Sequence, residues 1–389
     1  MQNKEISASS STVALDSGLR GKIISLSSEE YELRRRAIAK ENHVRPSFLD
    51  SIRREAEPEK LQGREITLEA PEPWPTHVDG ALLLDTIVFH ARRFLVAPAH
   101  ATEATALWIV LSYLIDRAAC LPLLVYYSAT KRCGKTTALE VVSRLALKAL
   151  PSSTISAAAL FRVVEKFTPT LILDEADSAF KENEDLRTLV NASFTRTAAY
   201  AIRCAGEDSE PRIFSTWCPK ALGLIGRLPS TLADRSILIP MRRKRQDEIV
   251  ERLRADEDQG FEELRRRIAR WAADNAEALR SLDPQIPLEL NDRQADAWRE
   301  LLRIADAAGG EWPSMAREAA IAICAQSDDD DEDTRTMLLR DLRILFASAS
   351  YQNAFTSESI VEYLGALEER PWATFAGGRA SPKTSSPDT

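Results

Sequence analysis

One stretch, LPLLVYYSATKRCGKTT from Leu121 to Thr137, constrains the fold more than any other. The apolar run Leu121 to Tyr127 predicts a strand buried on both faces. It breaks at Ser128 into a short polar loop, and a helix is expected to start within GKTTALEVVSRLALKAL. Strand, loop ending in Gly-Lys-Thr, and helix are the context that a phosphate loop of the Walker A type requires. Gly134 has no Cβ, so backbone N–H groups can close on phosphate oxygens, and the helix N-terminus adds its positive dipole end. In such a loop Lys135 reaches the β- and γ-phosphates and the Thr136 hydroxyl ligates Mg²⁺. The expected cradle is Ala129, Thr130, Lys131, Arg132, Cys133, Gly134, Lys135, Thr136 and Thr137. Ala129 stands where G-x-x-x-x-G-K-[ST] has its first glycine, which fits if φ there stays below zero. The bland alternative is a Gly-Lys-Thr in an ordinary strand-to-helix turn.

The other half of such a site lies downstream, in TLILDEAD, Thr170 to Asp177. An apolar run ends in two carboxylates, and in an open parallel sheet ligands sit at the carboxyl ends of the strands. Asp174 is expected to hold Mg²⁺ through water, and Glu175 to polarise the water that attacks the γ-phosphate. A hydrophobic run followed by Asp-Glu is weak alone and becomes specific with a phosphate loop upstream. The acid pair argues for ATP hydrolysis rather than mere nucleotide holding.

Beyond the helical stretch NEDLRTLVNASFT, AAYAIRCA and PRIFSTWC predict two strands around the turn GEDSE. The second is expected in the main sheet, with a polar group at its end that senses the γ-phosphate. Thr216 is the candidate, with Ser215 and Lys220 as alternatives. TLADR places Arg235 just before the apolar strand SILIPM, at a domain edge where it can reach a neighbouring subunit's nucleotide. A surface ion pair is the alternative role, and Arg227 is the second candidate finger. From Lys244 onward the pattern reads as fully helical. Trp312-Pro313 starts a helix with Pro at an N-terminal position. Arg317, one turn in, either folds over the phosphates or is structural.

Composition bounds the rest. A chain of 389 residues with 44% hydrophobic and 28% charged residues describes a soluble globular protein. The net charge of −8 and pI near 5.4 exclude a wholly basic nucleic-acid coat but not DNA contact confined to one face. Five cysteines without C-x-x-C spacing point to neither a zinc site nor a disulfide framework. With no signal peptide and no apolar run of about eighteen residues, a cytoplasmic protein without membrane contact is expected. The expected divisions are a disordered 1–28, a helical hairpin 29–57 and a linker 58–78. A nucleotide-binding core 79–245 and a helical lid 246–327 follow. The last pieces are a truncated winged-helix-like module 328–375 and a disordered tail 376–389. The basic face of Arg34, Arg35, Arg36 and Lys40 reads as solvated more readily than as a nucleic-acid contact.

The blocks ATKRCGKTTALEVV, ISAAALFRVVEKFTPTLILDEAD, LVNASFTR, FSTWCPKALGLIGRLPSTLADRSI and GGEWPSMAREAA carry a resemblance. They look like a helicase-like AAA+ domain family of unknown function (domain of unknown function 3631), found in replication proteins of prophages, plasmids and genomic islands. The resemblance runs from about Ser28 to Phe375. It implies an α/β fold with an AAA+ P-loop NTPase core, a helical lid and helical appendages, related to superfamily-three and MCM-type helicases. It carries the Walker roles onto Lys135, Thr136, Asp174 and Glu175, and the arginine-finger role onto Arg235. A homo-oligomer, hexameric by resemblance, is implied, as is work on single-stranded or forked DNA beside a primase or initiator protein. The expected function is Mg²⁺-dependent ATP hydrolysis by a DNA helicase or translocase. The alternatives are a protein remodeller or loader, and a nucleotide-gated DNA-binding scaffold with little turnover.

Overall fold

The computed structural model describes residues 19–56, 65–205, 209–254, 256, 258–330, 334–348, 355–367 and 372. The chain divides into two compact units, residues 1–67 and 68–389.

In the first unit a helix over residues 19–25 (α1) precedes α2 (Ser28–Glu41) and α3 (Pro46–Ala56). Ser27 and Glu30 form a capping box at the start of α2, each side chain bonding the other's backbone N–H. Leu19, Ile23, Tyr31, Ile38, Leu49 and Ile52 close a small core. Residues 19–25 thus correct the expectation of disorder through residue 28, because Leu19 and Ile23 give that segment a buried stripe. Residues 1–18 lie outside the described residues.

The second unit opens on an extended segment rather than a free linker where it is described. The guanidinium groups of Arg266 and Arg267 lie 5.5 and 5.0 Å from the Trp74 ring centroid. The Trp74 backbone N–H donates to the Arg266 carbonyl at 2.9 Å. Helices α4 (Gly80–Phe94) and α5 (Ala101–Leu111) follow, the second buried along its whole length. The core then alternates. β1 (Leu123–Ser128) and α6 (Lys135–Leu145) lead to β2 (Ala149–Ser152), α7 (Ala157–Phe167) and β3 (Thr170–Leu173). After α8 (Ala176–Glu182) and α9 (Glu184–Ala192) come β4 (Tyr200–Ala205) and β5 (Glu210–Ser215), an antiparallel hairpin outside the main sheet. β6 (Lys220–Ile225), α10 (Ser230–Ala233) and β7 (Ser236–Pro240) complete the core.

Five strands form one sheet in the order β2-β3-β6-β1-β7, every neighbouring pair parallel. Successive residues of a strand face opposite sides, and β1 shows it. Leu124 and Tyr126 join the core beneath α4, α5 and α6, while Leu123 and Val125 join the one beneath α7, α8 and α9. β1 is therefore buried on both faces, as its uninterrupted apolar run requires.

Helices α11 (Phe261–Ser281), α12 (Asp292–Ala308) and α13 (Trp312–Asp330) pack onto the first of those cores, so lid and sheet share one apolar interior. The described residues of 241–260 form no helix, against the expectation of continuous helix from Lys244. Glu248 is drawn out of helical pairing by Arg242, and Glu251 by Arg93. Asp258 caps α11 from outside, accepting the Glu262 N–H at 2.8 Å. Helices α14 (Thr334–Ser348) and α15 (Ser357–Gly365) follow, and Trp372 donates to Asp341 at 2.8 Å. The expected tail 376–389 lies outside the described residues.

Candidate functional site

Because all five strands run the same way, their carboxyl ends share one edge. Ser128, Ser152, Leu173, Ile225 and Pro240 stand there, and the β1–α6 loop rises from it. Gly134 takes a left-handed conformation, φ +84°, as the residue before α6. Arg132 also adopts a positive φ of 65°, which costs a non-glycine residue of order 1–2 kcal/mol. Ala129 is not among the left-handed residues, so the condition that lets alanine replace glycine there is met.

The loop is braced from inside. Ser128 Oγ donates to the Thr130 carbonyl at 2.7 Å and accepts from Lys135 Nζ, which also donates to Thr130 O at 3.4 Å. Cys133 is buried, its Sγ 3.3 Å from the Thr130 carbonyl. Burial pushes its thiol pKa up, but hydrogen bonds with Thr130 and Ser128 and the charges of Lys135 and Arg243 outweigh that, and the net direction is down. Arg243, beyond β7, donates to the Lys131 carbonyl at 3.2 Å.

The two halves expected from the sequence meet. Thr136 Oγ1 donates to Asp174 Oδ2 at 2.7 Å, and the other Asp174 oxygen accepts the Glu175 N–H at 3.0 Å. Glu175 is exposed, in a left-handed conformation of φ 56°, ψ 36°. Its carboxylate enters no hydrogen bond or ion pair among the described residues. Asp177 Oδ1 accepts the Ile225 N–H at 3.1 Å, tying α8 to the end of β6.

β6 passes between β1 and β3, so its residues determine how closely Asp174 and α6 can approach. Gly223 makes that approach possible. A Cβ on it would lie 2.8 Å from Asp174 Oδ1 and 2.8 Å from Leu139 Cδ1. A lone glycine inside an apolar strand pattern marks a close approach, and ALGLIG carried that signal. At the end of the same strand Gly226 donates to the Ser128 carbonyl at 2.9 Å, and exposed Arg227 follows.

Two pockets flank the loop. One of about 420 Å³ is lined by Phe94, Leu95, Arg132, Thr137, Val250 and Leu253, among others. Another of about 250 Å³ is lined by Thr136, Glu140, Ser152 and Asp174, among others. The segment 241–260 borders the larger one. Arg93 holds it through a two-bond pair with Glu251 at 3.0 and 2.7 Å, while the Glu251 N–H donates to the Arg93 carbonyl at 2.7 Å. The smaller pocket has oxygen ligands suited to a hard divalent cation, Thr136 Oγ1 and Asp174. Among the described residues no group of three or more His, Cys, Asp or Glu could hold a metal. A cation there would draw its remaining ligands from water and phosphate.

Three expected site residues lie elsewhere. Thr216 precedes β6, at the edge where the strands begin, fully buried with its Oγ1 unpartnered. The expectation failed because PRIFS forms β5 of the hairpin, whereas the sheet strand is β6. Ser215 and Lys220 share that edge. Lys220 is buried, and its ammonium donates to the Thr216 and Cys218 carbonyls at 3.0 and 2.9 Å. Burial lowers its pKa. Arg317 is committed to a two-bond pair with Asp306 at 2.7 and 2.9 Å and to the carbonyls of Pro313 and Gln285. Those bonds occupy its guanidinium and brace the lid helices. Arg235 also lies at the starting edge, its carbonyl accepting the Leu123 N–H at 3.0 Å. Its guanidinium donates to the Thr231 carbonyl and lies 5.9 Å from the Phe194 ring centroid.

The family described as "Protein of unknown function (DUF3631)" matches residues 240–384, the segment after β7, the lid helices and the C-terminal pair. That match leaves out the β1–α6 loop and the Asp174 region. An uncharacterised 28.9 kDa protein in the xis 5′ region of Saccharopolyspora erythraea is 36% identical over 113 residues. The match covers 29% of this chain and 41% of that relative, so the chain spans well under two thirds of the relative's length. No helix among the described residues is long and apolar enough to cross a membrane.

Proposed function

We propose that this chain is a Mg²⁺-dependent ATPase of the AAA+ P-loop class, working as an oligomeric DNA helicase or translocase of a mobile-element replication system. The observation that carries the reading is the 2.7 Å bond from Thr136 to Asp174. It joins the start of α6 to the end of β3 across the intervening β6 at the ligand-binding edge of a parallel sheet. A nucleotide fits the surroundings. The left-handed Gly134 presents the N-terminal amides of α6, the larger pocket has room for a nucleoside, and the smaller one offers the cation ligands.

In this reading Lys135 neutralises phosphate charge, and Thr136 and Asp174 hold Mg²⁺, directly or through water. When bound, the cation supplies charge stabilisation to the transferring phosphoryl group. Glu175, exposed at the same edge with its carboxylate unbonded among the described residues, orients and deprotonates the attacking water. Arg227, at the carboxyl end of β6, replaces Thr216 as the polar group nearest the γ-phosphate. Arg235 stands some five residues of β-strand away from the loop, about 16 Å at ~3.3 Å per residue. That supports a role on a neighbouring copy's nucleotide rather than its own. DNA contact is assigned to the hairpin, where Arg203 stands opposite Arg212.

The protein-remodeller reading has its own support. Tyr200, Ile202 and Ile213 are exposed large apolar side chains on that hairpin, suited to gripping a polypeptide. ATPase rate with and without single-stranded DNA separates the two. Stimulation by DNA supports the translocase. Turnover indifferent to DNA at low salt favours the remodeller, and no turnover at all removes both in favour of a scaffold.

A further inference from the structure

The first unit carries a feature that the ATP site does not use. α2 and α3 are joined by a turn of four residues, Asn42 to Arg45, in which His43 takes the left-handed conformation at φ 54°. The Val44 N–H returns to the Ala39 carbonyl at 3.0 Å. Two helices joined by a turn of three to four residues, one in a conformation that favours glycine, match the turn of a helix-turn-helix. α1 completes a three-helix unit with its own core.

Charge is distributed unevenly in it. Residues 19–56 hold nine lysines and arginines against six carboxylates, in a chain of net charge −8. Three of the acids have partners, Glu32 with Arg35 at 3.5 Å among them. Asp50 accepts from Tyr31 Oη at 2.7 Å and lies 3.5 Å from Arg35, while Glu30 closes the capping box. Arg36 and Lys40, one turn apart on α2, and Arg45, at the entry to α3, are exposed. They enter no side-chain hydrogen bond or ion pair among the described residues. They line up toward the turn.

The outer face of α3 is small and slightly apolar: Ser47 and Ser51 are exposed, with Phe48 between them at 44% exposure. Short side chains let a helix approach a groove floor, hydroxyls accept or donate to base edges, and an aromatic edge suits a thymine methyl. Flanking cations supply the phosphate clamps that fix register.

We infer that residues 19–56 form a helix-turn-helix module that binds duplex DNA, with α3 in the major groove and Arg36, Lys40 and Arg45 on the phosphates. It acts independently of nucleotide. An A-form RNA duplex is excluded by its deep, narrow major groove, which does not admit a helix.

The test uses the full chain without nucleotide and a labelled duplex of about 20 base pairs, long enough for one module. Fluorescence anisotropy is read across a salt series. The triple variant Arg36→Gln/Lys40→Gln/Arg45→Gln lowers affinity at least about tenfold. It also reduces the slope of log K against log salt by about 2–3, since each lost phosphate contact releases one counterion fewer. Ser47→Glu/Ser51→Glu lowers affinity about as much by setting carboxylates against the groove. Far-ultraviolet dichroism of both variants matches the parent, so neither loss is unfolding. Lys135→Ala leaves duplex binding intact, which keeps this inference separable from the fate of the ATPase reading. An unchanged salt slope in the triple variant overturns it. So does loss of duplex binding in Lys135→Ala, or equal competition by an RNA duplex.

Discussion

Replacing Gly223 by alanine tests whether the geometry between β3 and α6 controls the chemistry. The added Cβ meets Asp174 Oδ1 and Leu139 Cδ1, each at 2.8 Å, well inside carbon contact distance. Leu139 can rotate its end away, whereas Asp174 is held on both oxygens by Thr136 and the Glu175 amide. Relief therefore falls partly on the carboxylate, against bonds that contribute about 1.5–3 kcal/mol each when one partner is charged. Overpacking of this kind costs about 1–3 kcal/mol in stability. A displacement of Asp174 further weakens the cation site, so about tenfold lower ATPase at limiting Mg²⁺ is expected, partly recovered when Mg²⁺ is raised. Urea unfolding and ATPase across a Mg²⁺ series measure the two effects. Adding Leu139→Val removes one clash and leaves the Mg²⁺ effect standing. Gly223→Ala with parental stability and parental turnover at every Mg²⁺ concentration refutes the reasoning.

Lys135→Ala weakens nucleotide binding, whereas Glu175→Gln binds ATP and retains it; parental hydrolysis by Glu175→Gln removes the base assignment. Lys135→Ala and Arg235→Ala are each inactive, and an equal mixture regains activity at up to about one quarter of junctions, those that take an intact loop from one copy and an intact finger from the other. Zero recovery in demonstrated mixed oligomers returns Arg235 to a structural role. Arg317→Met lowers stability by about 1.5–3 kcal/mol through the unpaired Asp306 while ATP affinity stays within about twofold; a large loss of ATP affinity with little loss of stability restores Arg317 to the site. Glu248, half-buried, is held down at about 2 by its bonds from Arg242 and the Arg245 amide. A depressed carboxylate stabilises the fold above its ordinary value of 4.5 and loses that contribution as pH falls toward about 2. The melting difference between the parent and Glu248→Gln shrinks over that window, and a difference constant from pH 6 to pH 3 contradicts the assignment.

What was legible in the sequence was what period and local chemistry determine. β1, α6 and β3 announce themselves by buried runs that end in Gly-Lys-Thr and Asp-Glu, and the structure brings Thr136 and Asp174 together. What was not legible depended on strand order. Nothing local distinguishes PRIFS, which pairs with β4 in a separate hairpin, from KALGLI, which enters the sheet, and the choice of Thr216 failed on that point. β2 escaped notice because it has four residues and contains Pro151, tolerated at a sheet edge. The lid's irregular start was hidden because Glu248 and Glu251 look like helix surface until Arg242 and Arg93 appear beside them. Arg317 could not be decided from the sequence, since its partner Asp306 lies on another helix.

Arg235 and the β1–α6 loop occupy opposite ends of the same parallel strands, and this restricts the symmetry of any assembly in which one completes the other. A two-fold axis that sets the strands of two copies antiparallel joins loop to arginine twice and closes at a dimer, whereas a repeated head-to-tail rotation or translation joins them once at each junction. A head-to-tail assembly has a front and a back: all its strands point the same way around the circle or along the helix. A protomer at an open end of such a head-to-tail assembly carries either an unanswered loop or an unused arginine, and closure into a ring leaves neither.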